Sequence, residues 1–159
     1  MIKVGDKLPS ATFTVMTPEG PKPKTTDDVF KGKTVVLFGL PGAFTPTCHK
    51  NHLPGYRDQA AALKAKGVET IAVTSVNDVF VMGAWRDASG SDGKVEFLAD
   101  GSAAFAKAIG LVLDLTERGM GVRSKRYSML VKDGVVKTLN IEEAQGTAES
   151  GVEKMLTQV

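Results

Sequence analysis

Thr34-Val-Val-Leu-Phe-Gly-Leu40 runs directly into Pro41-Gly-Ala-Phe-Thr-Pro46 and then Thr47-Cys48-His49. An apolar, β-rich run with no charge in it is what a strand buried on both faces requires. The Pro-Gly turn ends it, and a helical stretch follows in which Tyr56, Ala60 and Leu63 recur at i, i+4 and i+7. Gly67, after Lys64 and Lys66, stops that helix. Pro54 lies inside it and removes the donor towards the Lys50 carbonyl, which predicts a kink or split near Leu53 to Gly55. A buried strand, a short turn and a helix opening near Cys48 form the nucleus of a βαβ unit.

Outward from that nucleus the chain keeps alternating. Upstream, Ala11-Thr-Phe-Thr-Val15 reads as a short edge strand, and Thr26-Asp27-Asp28 before Val29-Phe30 and Gly32 as a capped helical turn. Downstream, residues 69–75 read as a strand. Asn77 or Asp78 caps a helix expected to present Phe80, Val81, Ala84 and Trp85 on one face. Residues 95–99 read as a further strand and 102–109 as a helix closed by Gly110, while 111–126 carry no clear period and are expected to contain loop. Tyr127 to Val131, Lys132-Asp133-Gly134 and Val135 to Leu139 form a hairpin with an Asp-Gly turn. A final helix is expected over 148–156. Parallel βαβ units followed by an antiparallel hairpin and a helix predict an α/β thioredoxin-like fold with a mixed central sheet flanked by helices. A flavodoxin-like sheet competes, but the late hairpin argues against an all-parallel arrangement.

The length of 159 residues predicts one domain, 1–159. Twenty basic and 18 acidic side chains leave a formal charge of +2, too balanced for nucleic acid or an anionic membrane as principal partner. One cysteine excludes an intramolecular disulfide, and with His49 and His52 alone it makes no zinc site unless carboxylates help. The first residues lack an apolar core or transit character, and the expected location is the cytoplasm.

Chemistry concentrates at Cys48. Unpaired N–H groups and the positive end of the helix dipole favour a thiolate there. Thr45-Pro46-Thr47-Cys48 has the spacing of a redox Cys-x-x-Cys with threonine in the first place. The threonine hydroxyl can donate to the sulfur or to a bound oxygen but cannot close a disulfide. Position alone leaves open that Cys48 is a small buried hydrophobe.

The segment from Phe38 through Cys48, continuing His52-Leu-Pro-Gly-Tyr56, resembles the active-site segment of peroxiredoxins, in particular the atypical type II or five-like branch. Ser75-Val-Asn-Asp78, Gly93-Lys-Val95, Leu98-Ala-Asp100 and Lys125-Arg-Tyr-Ser-Met129 continue the resemblance. It implies a thioredoxin-like domain with peroxidase activity on hydrogen peroxide and alkyl hydroperoxides. By the same resemblance Cys48 is the peroxidatic cysteine, Thr45 and Pro41 the motif threonine and proline, and Arg126 the later arginine. His52 would belong to a hydrogen-bonding network behind the site, and a homodimer packing edge regions near the active-site loops is implied as well.

That chemistry is coherent in itself. A thiolate attacks one peroxide oxygen, negative charge moves across the breaking O–O bond, and the sulfur becomes a sulfenic acid. The Thr45 hydroxyl, the Cys48 N–H and the Arg126 guanidinium are the expected donors. Pro41 is expected to shield the sulfur from water, and His49 to be exposed. Arg118, Arg123 and Lys125 read as a solvated basic loop beside the one functional arginine, Arg126.

Where many members of the branch carry a second, resolving cysteine, this chain has Ala72-Val-Thr-Ser75 and Gly146-Thr-Ala-Glu-Ser-Gly151. No cofactor is expected beyond an external thiol: glutathione, alone or with glutaredoxin, ahead of thioredoxin. A glutaredoxin-like thiol transferase and a non-catalytic redox-sensing module are the rival readings.

Overall fold

The computed structural model describes residues 1–159. Its strands are β1 (Thr12–Thr17), β2 (Gly20–Thr25), β3 (Thr34–Gly39), β4 (Thr70–Ser75), β5 (Glu96–Ala99), β6 (Val112–Leu115), β7 (Gly121–Ser124), β8 (Tyr127–Lys132) and β9 (Val135–Ile141). The α-helices are α1 (Thr26–Phe30), α2 (Leu53–Asp58), α3 (Ala60–Ala65), α4 (Val79–Ala88), α5 (Ala104–Ile109) and α6 (Val152–Gln158). Seven strands make one sheet in the order β2-β1-β5-β4-β3-β8-β9. β3, β4 and β5 run parallel, while β8 pairs antiparallel to β3 and β1 antiparallel to β5. This is the mixed sheet of a thioredoxin-like fold, and the antiparallel β8–β9 hairpin disposes of the flavodoxin-like alternative.

β3 explains why its sequence is apolar throughout. Val36 and Phe38 enter a core cluster under α2, α3, α4 and α6, whereas Val35 and Leu37 enter a second cluster under α1 and α5. Side chains alternate across a strand, so a strand with helices on both faces has no polar phase. Cys48 belongs to the first cluster, at the end of β3 nearest the turn.

Several local expectations need correction. Residues 111–126 contain a second, two-stranded sheet, β6 against β7, with Val112 opposite Ser124 and Leu115 opposite Gly121. Both strands are short and mostly half-buried, so the solvent-facing alternation that betrays a strand is missing. α4 buries Val79, Met82, Gly83 and Trp85, while Phe80 is 66% exposed. The buried face is rotated from the expected one because β1 lies close against Gly83, where an added Cβ would come within 3.2 Å of Met16. The α1 cap is Thr25, whose side chain accepts from the Asp28 N–H while the Asp28 carboxylate accepts from the Thr25 N–H. The last helix begins at Val152, later than expected, because Glu149 and Ser150 are held in the preceding loop. The Pro54 irregularity is a wide π-turn over Cys48–His52 that ends with the Leu53 N–H on the Cys48 carbonyl, and α2 and α3 part at Gln59.

Candidate active site

The turn between β3 and the Cys48 helix is tied down from several sides. The Ala43 N–H donates to Asn77 Oδ1 at 2.9 Å, and Ser75 Oγ donates to the same oxygen at 2.6 Å. Thr45 Oγ1 donates to the Gly42 carbonyl at 2.7 Å. Arg123 donates through Nη1 to the Pro41 and Val76 carbonyls at 3.4 and 3.3 Å, and through Nε to the Met120 carbonyl at 2.8 Å. Helical backbone starts at Pro46, a residue suited to the first helical position because no N–H is needed there. Two positions on, the Cys48 N–H has no backbone acceptor and is free for a bound oxygen.

Cys48 is fully buried and its sulfur accepts from Arg126 Nη2 at 3.0 Å. The same guanidinium donates through Nη1 to His52 Nδ1 at 3.1 Å, and His52 Nε2 donates to the Ser150 carbonyl at 3.0 Å. A carbonyl only accepts, so the hydrogen of the imidazole sits on Nε2 and its lone pair faces Arg126. Burial, with the Arg126 charge second, pushes the His52 pKa down to about 3, against the opposing pull of the Ser150 carbonyl. The ring is neutral and orients the arginine. Tyr56 donates to the same Ser150 carbonyl at 2.7 Å, and burial pushes its phenol up, so it stays a neutral donor. Phe38 stacks on Tyr56 at a centroid distance of 4.2 Å and lies 4.9 Å from His52, closing the network from behind.

Arg126, 78 positions from Cys48 and 74 from His52, thus joins the sulfur and the imidazole through one guanidinium. Thr45 lies in the same turn, but its hydroxyl hydrogen points away from the sulfur side expected of a donor: it is spent on the Gly42 carbonyl, which leaves the oxygen with lone pairs to offer. The polar contact of Pro41 is made by its carbonyl, on Arg123. His49 is half-buried rather than exposed, because the Trp85 Nε1–H donates to its Nδ1 at 2.9 Å and Phe44 lies over its ring. Two residues escaped the sequence reading. Arg123 looked like one charge of a solvated loop, and Ser150 acts through its carbonyl, which no side-chain motif reveals. No group of three His, Cys, Asp or Glu side chains is arranged to hold a metal ion.

A deeply buried thiol against a guanidinium, on the first helical turn after a central strand of a thioredoxin-like sheet, defines a class of thiol enzyme. The sequence profile of the Redoxin family matches residues 3–156. Peroxiredoxin-2E-2, chloroplastic, of Oryza sativa subsp. japonica is 48% identical over 160 residues, which cover 98% of this chain and 71% of that protein. The structure of reduced Prx3 in complex with hydrogen peroxide from Vibrio vulnificus is 48% identical and superposes with a TM-score of 0.95, covering 99% of both chains. Peroxiredoxin 5 from Alvinella pompejana is 34% identical, with a TM-score of 0.85 over 99% of this chain and 97% of that one. The chain belongs to the Redoxin family, and within it to the peroxiredoxins. Its relatives include five-like members, and its single cysteine leaves it without a resolving partner in the same subunit.

Proposed function

We propose that the Cys48 sulfur is the atom through which this peroxiredoxin, a thiol-dependent peroxidase, reduces hydrogen peroxide and alkyl hydroperoxides. The carrying observation is the 3.0 Å contact between Arg126 Nη2 and the buried Cys48 sulfur, beside a His52 ring that burial keeps neutral. The thiolate attacks the nearer peroxide oxygen, an S–O bond forms and the O–O bond breaks. The sulfur loses two electrons, and the leaving oxygen takes a proton and departs as water or alcohol. Arg126 spans the sulfur and the developing charge, the Cys48 N–H holds the oxygen under attack, and Thr45 Oγ1 accepts from the peroxide O–H.

The sulfenic acid is then attacked by an external thiol, releasing water and leaving a mixed disulfide. A second thiol frees Cys48 as the other disulfide forms. Glutathione, alone or with glutaredoxin, is the proposed reductant ahead of thioredoxin, and a reducing compartment such as the cytoplasm the proposed location. We also propose a homodimer. Phe44, Phe80 and Val122 are 48%, 66% and 38% exposed, on segments bonded to or packed against the active-site turn, where a second subunit would cover them. Stopped-flow peroxide consumption with glutathione, glutaredoxin and thioredoxin supplied separately tests this reading. Cys48→Ser should abolish turnover with each; more than a few per cent retained would sink the assignment.

A further inference from the structure

The loop between β9 and α6 makes no hydrogen bond to the sulfur, yet it closes on itself around one carboxylate. Glu142 Oε2 accepts from the Ser150 N–H at 2.9 Å, Ser150 Oγ at 2.7 Å and the Glu149 N–H at 3.1 Å, and Oε1 accepts from the Glu149 N–H at 3.2 Å. The Glu142 N–H meanwhile donates to the Arg126 carbonyl at 2.9 Å. Ser150 is fully buried, and both His52 and Tyr56 donate to its carbonyl. We infer that Glu142 is a positioning residue for the peroxide reaction: by clasping Ser150 it fixes His52 in one tautomer and so aims Arg126 at Cys48. The inference rests on the role proposed above for Cys48.

The physical argument is one of donors and acceptors. A neutral imidazole carries a single nitrogen-bound hydrogen. While the Ser150 carbonyl stands opposite Nε2, that hydrogen stays on Nε2 and Nδ1 accepts from Arg126. If the carbonyl is displaced, a buried Nε2–H loses its acceptor, at a cost that favours moving the hydrogen to Nδ1. Nδ1–H would then face the Arg126 N–H, two donors head to head, and the guanidinium must turn away from the sulfur. Charge-assisted bonds from a carboxylate to backbone N–H groups are suited to preventing that displacement.

The test combines the rate of Cys48 oxidation by peroxide in single turnover with 15N NMR of the His52 ring. Glu142→Ala should lower the rate about tenfold and convert the pure Nε2–H form into a mixture. Glu142→Gln, whose amide oxygen still accepts, should return the rate to within about threefold of the wild type. In a His52→Phe background Glu142→Ala should change the rate by less than about twofold, since the path it acts through is gone. An unchanged rate and tautomer in Glu142→Ala, or effects that multiply in the double variant, would overturn the inference. If Glu142→Ala does not fold, Ser150→Ala, which removes the shortest clasp contact, is read by the same two measurements, with about a threefold loss expected. Turnover by Cys48→Ser would instead sink the peroxidase role of Cys48. The His52 tautomer needs no activity to be read, so the two failures are distinguishable.

Discussion

His52 couples the stability of the protein to its catalytic geometry. Its folded pKa, about 3, lies below the ordinary 6.5, so between those values the unfolded chain binds a proton that the native state refuses. Stability therefore rises with pH in that window, is complete above about pH 7, and is lost as pH falls. From about pH 7 to about pH 5 this one group should cost about 2 kcal/mol. Denaturant unfolding at the two pH values measures it, and His52→Phe should flatten the slope. Around the sulfur, Arg126→Met should slow the peroxide step at least about a hundredfold, the scale for removing one preorganised donor from developing charge. Thr45→Val should lose a similar factor, with about 1 kcal/mol of stability because the Gly42 carbonyl also loses its partner. An unchanged peroxide rate in Thr45→Val would make that hydroxyl purely structural.

β7 is tied to the active-site turn and to the segment after β4 by Arg123, whose guanidinium donates only to carbonyls, those of Pro41, Val76 and Met120. Arg123→Met keeps the aliphatic stem and removes every one of these bonds. The expected result is about a tenfold slower peroxide reaction with far-UV circular dichroism unchanged, since the seven-stranded sheet does not depend on β7. An unaltered rate would show that the turn is held by Asn77 and Thr45 alone. β3 makes a sterner demand. A Cβ on Gly39 would lie 2.2 Å from the ring of Tyr127, its antiparallel neighbour on β8, and Tyr127 is itself fully buried. Gly39→Ala forces that ring or the strand to move and should destabilise by about 1–3 kcal/mol, read as a lower midpoint of urea unfolding.

The one cysteine sets the course of oxidation for the protein in solution. One equivalent of peroxide should leave a sulfenic acid trappable by dimedone, and added glutathione should convert it to a mixed disulfide seen as a mass increase on Cys48. Excess peroxide without thiol should give the sulfinic acid and irreversible loss of activity. Sulfur buried in its pocket should not reach the Cys48 of a second subunit, so a covalent dimer on non-reducing gels as the main product would overturn the external-thiol route. Sedimentation of the reduced protein at micromolar concentration should show a non-covalent dimer; only monomer there would refute the homodimer.

The βαβ nucleus, the hairpin and the position of Cys48 were legible in the sequence because each rests on local physics: a two-sided apolar run, an Asp-Gly turn, a helix start. Cys48, Thr45, Pro41, His52 and Arg126 were nameable from a motif whose members lie mostly within one turn and helix. What the residues do to one another was not. The direction of the Thr45 hydroxyl, the tautomer of His52 and the clasp around Ser150 depend on which acceptor stands opposite each donor, and those acceptors are backbone carbonyls that any residue could supply. The buried face of α4 likewise follows from where β1 crosses it, a contact between segments about seventy positions apart along the chain. Hydrophobic period and turn chemistry are written into neighbouring residues, whereas hydrogen-bond partnership across the core exists only once the chain has folded.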